Sequence, residues 1–179
     1  VGVMPPAPTN EVGPMFRSNS SISSPTRFMP DMPTVLAGLS ANEWEVVPSV
    51  NRTMEFRVTL RDNALNGGAS ASDDVIVTID ETSGPFIITS QNTATDWEPN
   101  SVQTVTWDVA NTDKAPMNTS TVNVLFSDDG GQTFAETLAS NVANNGTVDI
   151  TVPSTATNTG RVKVVPVRNY YYDINDADN

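Results

Sequence analysis

The chain has 179 residues, a formal net charge of −12 and a hydrophobic fraction of 37%. Such an acidic surface repels phosphate backbones and anionic headgroups, which argues against nucleic acid and anionic membranes as partners. Cysteine and histidine are both absent, so disulfides, thiolate chemistry, Ser-His-Asp relays and HExxH zinc sites are excluded from this stretch.

Residues 1 to 40 are rich in Pro, Ser and Met. Pro5, Pro6, Pro8, Pro14, Pro25, Pro30 and Pro33 each fix φ and remove a backbone donor, which predicts an extended, polyproline-like segment. Met4, Met15, Phe16, Phe28, Met29, Met32, Val35 and Leu36 are more apolar residues than a linker carries, so the segment is expected to dock on a sheet. No basic start with an apolar run opens the chain, and no apolar run is long enough to span a bilayer, so neither a signal pattern nor membrane insertion is expected.

In RTMEFRVTLR (52 to 61), Met54, Phe56, Val58 and Leu60 alternate with Glu55, Arg57, Thr59 and Arg61, the pattern of a strand with one wet face. DNALNGG supplies turn residues and DDVIVTID returns, predicting a hairpin with a long connection. Two strands do not make a stable domain, so residues 1–82 read as a Pro-rich segment plus the hairpin of an incomplete N-terminal β-sandwich. SGP at 83 to 85 marks a junction. Short strands then follow at regular spacing: 86 to 90, 101 to 109, 121 to 127, 134 to 140, 146 to 152, 160 to 167 and 170 to 174. Turn signals separate them, and 138 to 143 shows only weak helical spacing. Residues 83–179 therefore predict an immunoglobulin-like sandwich, and the whole chain an all-β protein of two antiparallel β-sandwich domains, immunoglobulin-like or fibronectin-like. Alternation places Val105, Trp107, Val109, Val122, Val124, Phe126, Ile150, Val152, Val162, Val164 and Val167 on the inner layer.

SDDGGQTF (127 to 134) matches the spacing of the Asp box found in sialidases, S-x-D-x-G-x-T-[W/F]. It occurs once and lies between two predicted strands, so a structural turn is the better reading: Asp129 accepts backbone N–H groups and two glycines take positive φ. Calcium takes six to eight oxygen ligands, and two acidic groups are candidates: Asp62 with Asp73 and Asp74 at facing ends of the hairpin, and Asp173 with Asp176 in DINDADN, which is similar to the calcium-holding linker of cadherins. An acidic, solvated edge is the plainer alternative for both. A paired-carboxylate hydrolase is formally open but needs a cleft that no aromatic cluster signals. Trp107 falls in the core, whereas Trp97, in the loop TDWEPN, is the one aromatic expected to be exposed for ligand contact.

The segments SSPTRFMP, RTMEFRVTLRDN…ASDD and VTWDVANT…SDDGGQTF, in this order over nearly the whole chain, resemble the non-catalytic region of secreted Bacteroidetes metalloproteases of the reprolysin type, exported by the type IX system. Their catalytic part carries a histidine zinc motif. This chain has no histidine, so no catalytic residue carries over and no zinc is implied here. The resemblance implies a non-catalytic accessory module, secreted or at the bacterial cell surface, that serves spacing, stability or attachment. Its partners would be neighbouring domains of the same polypeptide and cell-surface or extracellular-matrix components. It also implies that the chain is a fragment, since similar proteins run on into a further strand. The alternative is an adhesive or glycan-binding module of a surface protein or filament.

Overall fold

The structure, a computed structural model, describes residues 4–178 apart from 19, 21, 23, 25 and 66. Pro25 and residues 1–3 of the sequence argument thus lie outside the described residues.

The protein is all-β and antiparallel, with one short helix among the described residues. Strands β1 (Arg52–Arg61) and β2 (Ser70–Ile79) form a two-stranded hairpin in continuous register from Arg52↔Ile79 to Arg61↔Ser70. The seven strands expected after residue 85 all form: β3 (Ile87–Ile88), β4 (Val102–Asp108), β5 (Thr121–Ser127), β6 (Glu136–Ala143), β7 (Thr147–Thr151), β8 (Arg161–Pro166) and β9 (Asp173–Ile174). They make a three-stranded sheet, β3-β4-β7, and a four-stranded sheet, β6-β5-β8-β9.

The two sheets share one core. Ile88, Val105, Trp107 and Ile150 from the first meet Val122, Val124, Phe126, Val162 and Val164 from the second, with Phe86 and Val152 at the margins. Val109 packs against this core only partly buried. Val167 departs from the predicted inner layer: β8 ends with a buried Pro166, and Val167 lies half-buried beyond it. The weak helical spacing at 138 to 143 turns out to be a bulged strand. Register slips twice between β5 and β6, from Val122↔Val142 to Val124↔Ala139 to Leu125↔Thr137. Asn141 sits in the slip at φ 53° and donates its N–H to Asn123 Oδ1 at 2.8 Å. Extra residues on one strand spread its apolar positions out of period two, which is how a strand imitates a helix in sequence.

The described part of the N-terminal segment runs through turns and bends, one of them closed by the Asn10 N–H on Ala7 O at 3.0 Å, and carries α1 (Met32–Leu36), rather than following the extended polyproline path that its prolines predict. Proline is compatible with a helix's first turn, where the missing N–H has no partner anyway. Pro33 occupies that place, and Asp31 Oδ1 accepts the Thr34 N–H at 3.2 Å as the cap. The segment docks as its apolar content predicts. Met15 and Val46 are buried together, with the Val46 N–H on Met15 O at 3.0 Å. The Phe16 ring lies 6.0 Å from that of Phe56 on the hairpin. Phe28 meets Tyr172 edge-on at 5.5 Å, on the outer face of the four-stranded sheet. Met4 is an exception and stays exposed.

Candidate functional site

The loop 127 to 134 is a self-bonded turn. Ser127, buried at the end of β5, accepts the N–H of Gly131 at 2.8 Å and donates its hydroxyl to Asp129 Oδ1 at 2.6 Å. Asp129 also accepts the Thr133 N–H at 2.9 Å and the Thr133 hydroxyl at 2.7 Å. Hydrogen bonds to a carboxylate stabilise its charged form. The Ser127 hydroxyl, then the Thr133 N–H and hydroxyl, hold Asp129 down to about 2. Gly130 and Gly131 stand at φ 76° and 85°, where a Cβ is strained. A Cβ on Gly131 would also run into Leu36 of α1. The motif therefore seats the N-terminal segment as well as closing the turn.

The hairpin acids do not converge. Asp62 lies past the end of β1, where it accepts the N–H groups of Ala64 and Ala69 at 3.1 and 3.0 Å. Those two bonds, Ala64 first, lower its pKa. Asp74 pairs with Arg57 through two bonds of 2.7 Å, and this guanidinium lowers the Asp74 pKa. Asp73 is opposite Val58 on the other face of the hairpin. Side chains alternate across a strand, so two adjacent acids cannot share a face. β2 also starts at Ser70, which separates Asp73 from the loop that holds Asp62. Sequence adjacency had suggested facing ends; strand geometry sets the three apart.

The second acidic group works differently. Register puts Asp173 beside Val164, in the row that points between the sheets. Its Oδ2 accepts the Ile88 N–H at 2.6 Å, linking β9 of one sheet to β3 of the other. Burial, with a smaller push from the nearby Asp176 charge, raises its pKa to about 6 against the backbone bonds that lower it. Asn175, almost fully buried, accepts the Val162 N–H at 2.6 Å and donates to Gln91 O at 2.7 Å. Asp178 pairs with Arg161 at 2.6 Å. DINDADN thus fastens the end of the described chain to β3 and β8. Among the described residues, no three Asp, Glu, His or Cys side chains gather where they could hold one metal ion.

Two features escaped the sequence. Lys163 is buried, with its ammonium 4.3 Å from the ring centre of Tyr172, 4.5 Å from Phe28 and 5.1 Å from Phe134. Burial pushes its pKa down to about 8, and the three ring faces offset part of that desolvation. Its position between Val162 and Val164 points it out of the core, which reads as a wet residue unless another segment covers it. Asn144 is the other: it accepts the Trp107 Nε1–H at 2.9 Å and donates to Thr112 Oγ1 and Thr119 O at 3.0 Å each.

Trp97 is half-buried and packed against the core rather than free in its loop. Trp44 and Tyr170 are the exposed aromatics, and Arg17 covers the Trp44 ring at 4.9 Å. One edge of Trp97 lines a groove of about 330 Å³ with Asp96, Pro99, Thr155, Thr157 and Asn158. A more open, polar hollow of about 620 Å³ lies at Asp108, Asn111, Asp113, Lys114 and Asn145. No family model matches the chain, and no curated protein or solved structure matches it either.

Proposed function

We propose that the chain is a non-catalytic β-sandwich module of a secreted bacterial multidomain protein, serving spacing, stability or attachment beside the other domains of its polypeptide. The observation that carries this reading is where the polar motifs spend their bonds. Asp129, Asp173, Asn175 and Asp178 all bond to groups of this same chain. The N-terminal segment and DINDADN both fasten to the sandwich, and Gly38 of the first lies against Asp176 of the second. The test is a panel of peptide, ester and glycoside substrates offered to the folded chain. All are expected to stay uncleaved. Turnover that vanishes in Asp173→Asn or Asp176→Asn would replace this reading with a carboxylate hydrolase.

A second reading, a glycan-binding module, is favoured by the Trp97 groove. An indole edge beside a carboxylate, hydroxyls and an amide is a surface that suits a sugar ring. Asp96 and Asn158 have no hydrogen-bonding partner among the described residues, so both are free to bond a hydroxyl. Titration with a glycan panel should quench Trp97 fluorescence under this reading. No change with any glycan, or the same change in Trp97→Phe, would remove it.

A further inference from the structure

The β1–β2 hairpin is a two-stranded sheet that joins neither sheet of the sandwich. It is ten residues long on each side and pairs with no other strand. Among the described residues, no backbone hydrogen bond reaches β1 from outside the hairpin, so its outer edge is a row of open donors and acceptors. Phe16 covers only the base of its apolar face, at Phe56. Further out, Val58 is 57% exposed and Leu60 67%, with Val75 beside them at 44%. A long strand with an open edge and a bare apolar stripe is a template for pairing with another strand.

We infer that this edge is an interface between two copies of the chain, joined through β1 in an antiparallel, two-fold arrangement centred on Val58. Charge selects the partner. The hairpin strands carry Arg52, Arg57 and Arg61 against Glu55, Asp73 and Asp74, which cancel, while the chain as a whole carries −12. Two copies repel over most of their surfaces and least here. Charge also selects the strand. A β2–β2 pairing would bring together Asp73 and Asp74, and Asp73 interrupts the apolar face.

The register follows from the same residues. Centring the pair on Arg57 would set two guanidiniums against each other, and centring it on Glu55 two carboxylates. Centring it on Phe56 would ask Glu55 to pair with Arg57, which Asp74 already holds. Centring it on Val58 sets Val58 against its own copy and Phe56 against Leu60. Glu55 then meets Arg61, and neither has a partner among the described residues. The result is a four-stranded sheet whose two central strands join Phe56, Val58 and Leu60 of each copy into one apolar stripe, with Asp73 at its margin beside each Val58; this is the self-complementary kind of interface that two-fold dimers use. An interface of two strand edges is small, so the association is weak and depends on concentration.

This inference is independent of the proposed function. Sedimentation velocity on the full chain, from low micromolar to several hundred micromolar, should show a monomer giving way to a dimer. Val58→Lys sets two ammonium groups on the axis and should leave a monomer throughout; near-UV circular dichroism verifies that its fold is intact. Arg61→Glu should weaken association by about tenfold or more, and adding Glu55→Arg should restore it. A native chain that is monomeric at every concentration overturns the proposal. So does a dimer that Val58→Lys leaves undiminished, and failure of the swapped charge pair to restore association overturns the register.

Discussion

Asp173 shows how one residue can be both a fastener and a cost. Its carboxylate bridges the two sheets through the Ile88 N–H, yet burial raises its pKa to about 6. A carboxyl whose folded pKa lies above its unfolded value binds its proton more tightly when folded. Its contribution is fully present below the unfolded pKa near 3.8 and is lost as pH rises through about 6. Stability should therefore decline between those values, with Asp176 and the Tyr172 hydroxyl as neighbours that feel the new charge. Asp173→Asn keeps an oxygen for the Ile88 N–H and removes the charge. It should raise stability at pH 7 by about 2 kcal/mol and flatten the slope, as read from urea denaturation at a series of pH values. A wild-type curve already flat across that window would contradict the assignment. Nothing in the local sequence signals this burial. Asp173 reads as one more acid in an acidic tail, and only its register beside Val164 turns it inward.

At the scale of elements, the Asp-box turn and the N-terminal segment are one unit. Gly130 and Gly131 both have positive φ, but a Cβ on Gly130 meets only Thr159 at 4.0 Å, whereas one on Gly131 strikes Leu36. Gly130→Ala should cost about 1 kcal/mol for backbone strain alone. Gly131→Ala should cost about 1 kcal/mol more than that, because the Leu36 side chain must move aside. Leu36→Ala in the Gly131→Ala background should recover part of the difference. Equal losses for the two glycine variants would show that α1 does not rest on the turn. The turn itself was legible in SDDGGQTF, since each residue type has a known job there. That a helix more than ninety positions earlier leans on it was not, because contact between distant segments leaves no local pattern. Lys163 illustrates the same point. It stands between the inward Val162 and Val164, which sets it on the outer face of β8, and Phe28 covers that face.

For the whole molecule, the question is what holds its acidic chain in shape. The described contacts answer with packing and self-bonding: a core shared by two sheets, a docked N-terminal segment, and DINDADN tied to β3 and β8. The acids proposed as calcium ligands from sequence are Asp62, Asp73, Asp74, Asp173 and Asp176. Asp62 and Asp74 already hold backbone and guanidinium partners, and Asp173 holds a backbone N–H. A stabilising ion raises the melting temperature by mass action. Melting in EDTA and in added calcium is therefore expected to give the same midpoint. A rise with calcium would establish an ion site, and Asp173→Asn compared with Asp73→Asn would tell which group holds it.

The strands of this protein could be read directly from its residues, because period-two alternation and turn chemistry are local and survive without knowledge of the fold. The exclusion of histidine and cysteine chemistry is likewise a property of the sequence alone. Which faces are covered is a different matter. Alternation divides each strand into two faces but does not say what lies over either. The outer face of β8 is roofed by Phe28, the inner row of β9 contains a carboxylate, and the stripe of Val58 and Leu60 is bare. Those outcomes depend on segments far apart in the chain meeting in space, so only the tertiary structure decided them.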